Sequence, residues 1–389
     1  MLELFLLLMG SVRDTPGALL CVVGARPNYM KMAPLLRAFA ANSALPPATL
    51  VHTGQHYDPI LNDRLFEDLS LPRPDINLEV GSGSHAVQTA EVMRRFEPVL
   101  DERHAACVVV VGDVNSTLAC SLVAAKKGVP VAHVEAGLRS FDRAMPEEIN
   151  RVLTDQVADL LYTTERTAHA NLAREGIPAE RIHFVGNVMI DSLLAHRDRA
   201  VPAAKTLREA GFGGRGYGVV TLHRPSNVDE PRALSESLDI LRAVSRKLPL
   251  VCALHPRTVA RVEAFGLSAM LKSERLAVLP PQGYLEMLGL MAEAKLVITD
   301  SGGMQEETTA LGVPCLTLRD NTERPITVEQ GTNTLVGRDR ELILRLVEDI
   351  LATGGKRGRL PELWDGRAAE RIAAHLAGHL CLKSPTPSR

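Results

Sequence analysis

The chain reads as an α/β protein of two Rossmann-like, doubly wound domains with a cleft between them, and three observations carry that reading. Short runs rich in Val, Ile and Leu that end in Gly, Asp or His alternate with longer helical patterns, as in parallel strands covered by helices on both faces. The 389 residues exceed what one hydrophobic core usually supports, so two units of roughly 150 to 200 residues are expected. The polar residues suited to chemistry gather directly after the strands, where open parallel sheets bind ligands.

In chain order, the first series of strands is Ala18–Gly24, Thr49–Thr53, Cys107–Gly112, Val129–Val134, Leu160–Thr163 and His183–Gly186. The second is Gly218–Leu222, Leu250–Leu254, Leu276–Leu279, Leu296–Thr299 and Cys315–Leu318. A charged helical stretch, Asp191–Ala210, and the glycine-rich Gly211–Gly218 separate them, which sets residues 17–190 as one domain and 191–365 as the other. Beyond the break at Gly354–Arg359, residues 366–381 read as an amphipathic helix packing back on the first domain, and 382–389 as a disordered tail. Residues 1–16 read as an extension. Their apolar stretch Leu2–Met9 falls short of the roughly 20 residues of a membrane span and lacks the basic start and cleavage site of a signal peptide.

Composition argues against several partners. With 46% hydrophobic and 23% charged residues the chain is ordinarily globular, and a net charge of −2 gives no basic field for nucleic acid or acidic membranes. Any anion must be held by a few placed Arg, Lys and His side chains. Cys21, Cys107, Cys120, Cys252, Cys315 and Cys381 show no CxxC spacing, and four lie in apolar runs, so they read as reduced core thiols of a cytoplasmic protein.

GARPNYMKMAPL (Gly24–Leu35) leaves the first strand for a helix; its glycine admits a ligand to the backbone, and Arg26 and Lys31 supply positive charge. It matches neither GxGxxG nor a P-loop, so no dinucleotide is expected, and a plain turn with solvated cations stays open. GDVNST (Gly112–Thr117) puts Asp113 at an apolar strand tip before the helix Thr117–Lys127, either as a cleft carboxylate or as a helix cap shared with Asn115 and Ser116. In HVEAGLRSFDRAMPEEINR (His133–Arg151), Glu135 ends another strand, followed by Arg139, the pair Glu147–Glu148 and Arg151. Asp113, Glu135 and Glu147 map to one rim, and acid/base chemistry needs several carboxylates whose surroundings drive their pKa values apart.

In the second half, TLHRPSNVD carries His223 and Arg224 off one strand, and ALHPRT carries His255 and Arg257 off the next. Two such strand ends favour anion binding over isolated structural histidines. No third ligand has metal-site spacing, and HLAGH lacks the glutamate of HExxH, so no metal is expected. In TDSGGMQEETTALGVP, Ser301, Gly302 and Gly303 open a helix whose first amides suit a pyrophosphate, and Glu307 suits the two hydroxyls of a ribose. Arg319, Thr322, Glu323 and Arg324 follow the last strand, either holding phosphate and completing the cleft or forming a solvated loop.

GARPNYMKMAPL, TGQHYD, GDVNST, HVEAGLRS, PEEINR, VGNVMID, TLHRPSNVD, HPRT, TDSGGMQEE and RDNTERP, in this order over roughly residues 18–380, resemble the non-hydrolysing UDP-N-acetylglucosamine 2-epimerases. The resemblance implies a GT-B-like fold with UDP held mainly by the second domain, a homodimer, and a supply of precursors for cell-surface polysaccharide. By motif it makes Asp113, Glu135 and Glu147 the catalytic carboxylates and His223 the cleft histidine. Arg26, Lys31 and Arg151 are similar to the family's cleft cations. Ser301, Gly302, Gly303 and Glu307 resemble its UDP site, with His255 and Arg257 beside the base or phosphates. The implied reaction inverts C2 by eliminating UDP to 2-acetamidoglucal and adding it back, without a cofactor. A hydrolysing epimerase and a retaining glycosyltransferase share the expected fold and stay open. Many members carry a basic residue after TGQH, near a second, activating nucleotide sugar, whereas here Tyr57 and Asp58 follow. Gln55 and His56 keep the possible allosteric contact, and the altered loop leaves room for a modified sugar such as a 2,3-diacetamido derivative.

Overall fold

The computed structural model describes residues 17–54, 59–210, 212 and 216–383. The expected extension 1–16, the candidate allosteric residues Gln55 and His56, part of the glycine-rich stretch and the tail from 384 lie outside the described residues.

The first sheet is built from β1 (Leu19–Val23), β2 (Ala48–His52), β3 (Ile76–Asn77), β4 (Cys107–Val111), β5 (Val131–Ala136), β6 (Leu160–Thr163) and β7 (Ile182–Phe184). The second holds β8 (Gly218–Val220), β9 (Leu250–Cys252), β10 (Leu276–Val278), β11 (Leu296–Thr299), β12 (Cys315–Thr317) and β13 (Asn333–Leu335). Their orders are β3-β2-β1-β4-β5-β6-β7 and β10-β9-β8-β11-β12-β13, with every pairing parallel. Both sheets therefore reverse direction at their centres, between β1 and β4 and between β8 and β11, and such switch points open crevices at the carboxyl ends of the strands.

The apolar runs become strands because both faces are covered. Along β4, Cys107, Val109 and Val111 enter one core cluster while Val108 and Val110 enter another on the opposite face. A strand of period two buried on both sides has no polar face to show, which is why its sequence reads as continuous valine.

The structure departs from the sequence reading at element ends. β3 and β13 are additional strands, both at sheet edges; two or three residues with partial burial give no apolar run to detect. β5 extends through Ala136 because its register shifts between Val134 and Ala136, a bulge that an alternating pattern does not announce. The helix expected from Thr117 begins at Asn115. Cys381 is exposed, unlike the other five cysteines, because the final helix presents it to solvent.

That helix, Ala368–Lys383, lays Ala368, Ile372 and Leu376 into the cluster that contains Leu19, Cys21 and Val23 of β1. Asp191, on the helix Val188–His196, accepts the amides of Ala368 (3.2 Å) and Ala369 (2.7 Å), a carboxylate placed at the positive end of a helix. Trp364 is buried against Ile190 and Ile326 and donates its indole N–H to Thr164 O at 3.1 Å. The chain thus returns from the second sheet and is fastened to the first. Among the described residues, no helix is long and apolar enough to cross a membrane.

Candidate active site

β1 delivers the first cation. Asn28 accepts the amides of Gly24 (3.1 Å) and Ala25 (3.0 Å) and donates to Val111 O (3.0 Å), tying this turn to the end of β4. The helix Arg26–Ala41 then places Lys31, buried, with its Nζ 2.6 Å from Glu135 Oε1; Arg26 opens the helix, half-buried. Glu135 occupies the β5 bulge with φ of +75°, a left-handed conformation that a side chain larger than glycine rarely adopts. The bulge re-aims this carboxylate, and Arg324 Nη2 reaches the same oxygen from the second sheet at 3.3 Å. Glu135 Oε2 is buried without a hydrogen-bond partner among the described residues.

Asp113 follows β4. The helix-cap alternative is overturned: Val114 is the N-cap, with no side-chain cap bond, and Asp113 instead pairs with Arg151 Nη2 at 2.5 Å. Burial pushes the Asp113 carboxyl up, but Arg151, Lys31 and Arg324 outweigh it and hold it below the ordinary carboxylate range. Arg151 is itself gripped by Glu148, which also accepts the Ser140 amide (3.0 Å), the Ser140 hydroxyl (2.9 Å) and the Phe141 amide (2.9 Å). The adjacent acids of PEEINR therefore separate: Glu148 is buried scaffolding, whereas the Glu147 side chain stays 38% exposed with its Oε1 3.7 Å from Arg224 Nη1.

Behind them, fully buried His133 bridges Asp155 Oδ1 (2.7 Å) and Gly112 O (2.8 Å), so the peptide carrying Asp113 is held from the rear.

The second sheet supplies the facing wall. His223 follows β8, and its Nδ1 lies 2.8 Å from Oδ1 of fully buried Asp300. His255 lies beyond it, the two rings 6.2 Å apart. Arg257 is turned to Asp229 and is half-exposed, at the edge of the group rather than within it. Ser301 is the N-cap of the helix Gly302–Leu311 and makes no side-chain cap bond. At Gly302 a Cβ would lie 2.6 Å from both Arg324 Nη1 and Glu323 Oε1, so a side chain there would press on this ion pair; Gly303 follows in the first turn.

Arg324 is not part of a solvated loop. It is buried among Glu135, Glu306 and Glu323, and Arg319 also binds Glu323 at 2.7 Å. Burial pushes Glu323 up, yet Arg324, Arg319 and Arg151 hold it well below the ordinary range. Glu307 is buried and accepts from the Tyr284 hydroxyl at 3.1 Å; burial, working against that bond, pushes it up to about 7.

The structure thus joins Lys31, Asp113, Glu135, Arg151 and Arg324 in one charged cluster and sets Glu147 and Arg224 across the cleft from each other. Asp300 and Glu306 are additions to the sequence-selected residues. Their only local signal is position, Asp300 at the end of β11 and Glu306 beside Glu307.

Comparison with known proteins agrees with this geometry. Residues 40–377 match the family model described as UDP-N-acetylglucosamine 2-epimerase. The chain is 42% identical over 335 residues to UDP-N-acetylglucosamine 2-epimerase of Methanococcus maripaludis, covering 85% of this chain and 90% of that protein. It is 40% identical to UDP-2,3-diacetamido-2,3-dideoxy-D-glucuronate 2-epimerase of Pseudomonas aeruginosa, over 92% of this chain and 99% of that one. The crystal structure of Methanocaldococcus jannaschii UDP-GlcNAc 2-epimerase in complex with UDP-GlcNAc and UDP superposes with a TM-score of 0.86 at 40% identity, covering 93% and 99% of the two chains. Two parallel sheets facing a charged cleft, in the GT-B-like arrangement, and these likenesses together place the chain in the UDP-N-acetylglucosamine 2-epimerase family.

Proposed function

We propose that the chain interconverts UDP-N-acetylglucosamine and UDP-N-acetylmannosamine by eliminating UDP across C1 and C2, then returning UDP to C1 of 2-acetamidoglucal while a proton is delivered to the opposite face of C2. The supporting observation is the convergence of Asp113, Glu135 and Glu147 from the first sheet with Arg324, His223 and the Ser301–Gly303 helix start from the second. A C2 proton is weakly acidic, so its removal must be coupled to departure of a diphosphate stabilised by cations and amides.

In this reading the first turn of Gly302–Leu311 receives the pyrophosphate, Arg324 and Arg26 neutralise it, and His255 and Arg257 border the base. Glu307 takes the ribose diol, exchanging the Tyr284 hydroxyl for sugar hydroxyls. Asp113, kept ionised by Arg151, removes or returns the proton on one face of C2. Glu147 serves the other face, and Glu135, fixed by Lys31, orients the sugar. Residues 17–190 and 191–365 act as the sugar and UDP domains, 366–381 straps the second to the first, and the enzyme works as a cytoplasmic homodimer. Gln55 and His56 answer to a second nucleotide sugar.

The test is NMR of the purified protein with UDP-N-acetylglucosamine. A mixture of two UDP-sugars at equilibrium, without metal or NAD, is expected. Free N-acetylmannosamine with equimolar UDP would replace this reading with hydrolysis. Turnover confined to a 2,3-diacetamido UDP-sugar would move the substrate to that of the Pseudomonas relative.

A further inference from the structure

We propose that Asp300 is the positioning residue for His223, holding the imidazole in the tautomer with its proton on Nδ1 and presenting Nε2 to the cleft. The inference rests on His223 being a cleft residue in the function proposed above.

Asp300 directly follows β11, has no solvent exposure and gathers the loop that follows β8. Its carboxylate accepts the backbone amides of His223 (3.0 Å) and Arg224 (2.8 Å) and the side-chain amide of Asn227 (3.1 Å), and meets His223 Nδ1 at 2.8 Å. An ionised carboxylate can only accept, so the ring nitrogen facing it must donate. Burial opposes that ionisation, but the His223 contact and the two amides outweigh it and keep Asp300 below the ordinary range. Nε2 is then the remaining nitrogen. No described residue hydrogen-bonds it, and the side chain is 37% exposed. A histidine directed in this way by a carboxylate has its orientation and proton location fixed before the ligand arrives. Asn227 also donates to Leu318 O at 2.9 Å, so its side-chain amide ties the strand-end loops after β8, β11 and β12 together.

The experiment is long-range proton–nitrogen NMR of the full chain labelled at histidine, with His223 assigned by its loss in H223N, at a pH where the ring is neutral. The wild type should show the proton on Nδ1. In D300N the new side-chain amide can donate toward Nδ1, so the proton should move to Nε2, with kcat falling at least 100-fold and KM changing less than threefold. N227A removes another partner of the same carboxylate without touching the ring; it should keep the native tautomer and kcat within tenfold. A wild-type ring protonated on Nε2 overturns the inference even if D300N does not fold. So does an unchanged tautomer in folded D300N, or an equal kcat loss in N227A. The tautomer needs no turnover, so a chain without epimerase activity would remove the proposed function and leave this reading to its own result.

Discussion

Glu307 couples stability and binding through one carboxyl. Its folded-state value of about 7 lies above the unfolded value, so its contribution to folding is fully present below about pH 4.3 and is lost as pH rises through 7. Replacing it with glutamine, which can still accept from Tyr284, should stabilise the free protein at pH 8 by roughly 2–3 kcal/mol in urea denaturation. The same variant should bind UDP about tenfold more weakly, losing a charge-assisted bond to the ribose. Equal stabilities of the two proteins at pH 8 would contradict this account. Asp113 and Glu323 have the opposite sign: their folded values are lowered, so their contribution is complete above the ordinary carboxylate range and is lost as pH falls below that range through the lowered folded values. Arg151→Ala leaves Asp113 and buried Glu148 without their cation, and should cost about 3 kcal/mol in denaturation and at least 100-fold in kcat. Asp113 and Glu135 are legible in the sequence because each ends an apolar strand. The split between Glu147 and Glu148 is not, since neighbours in sequence diverge by about 100° around a helix and only the packing says which one faces the cleft.

At the scale of elements, the β5 bulge is a cost borne to aim Glu135. A side chain at positive φ is strained by roughly 1–2 kcal/mol, whereas glycine is not. Glu135→Gly should therefore be more stable than Glu135→Ala by about 1 kcal/mol, with both inactive. An alanine variant as stable as the glycine variant in chemical denaturation would count against strain at this position. The valine-rich β4 is transparent in the sequence because burial on both faces leaves one signal. The bulge, β3 and β13 are opaque because register and edge pairing depend on neighbouring strands far along the chain.

Across the whole molecule, the wall from β1, β4 and β5 and the wall from β8, β11 and β12 meet through Glu135–Arg324 and Glu147–Arg224. The alternation of strands and helices made two doubly wound sheets legible; which strands flank the reversal in each, and Arg324 entering among Asp113 and Glu135, arise only from the fold. A ligand held by both walls excludes water when they approach, so the radius of gyration from solution scattering should fall on adding UDP. An unchanged scattering curve at saturating UDP would contradict closure. The central claim is proton exchange at C2 by carboxylates of one wall while UDP departs to the other. Its most direct measurement is turnover of UDP-N-acetylglucosamine in deuterated water, followed by NMR of C2. The account predicts deuterium at C2 of the UDP-N-acetylmannosamine formed, abolished in D113N; product that keeps all its original C2 hydrogen would contradict it.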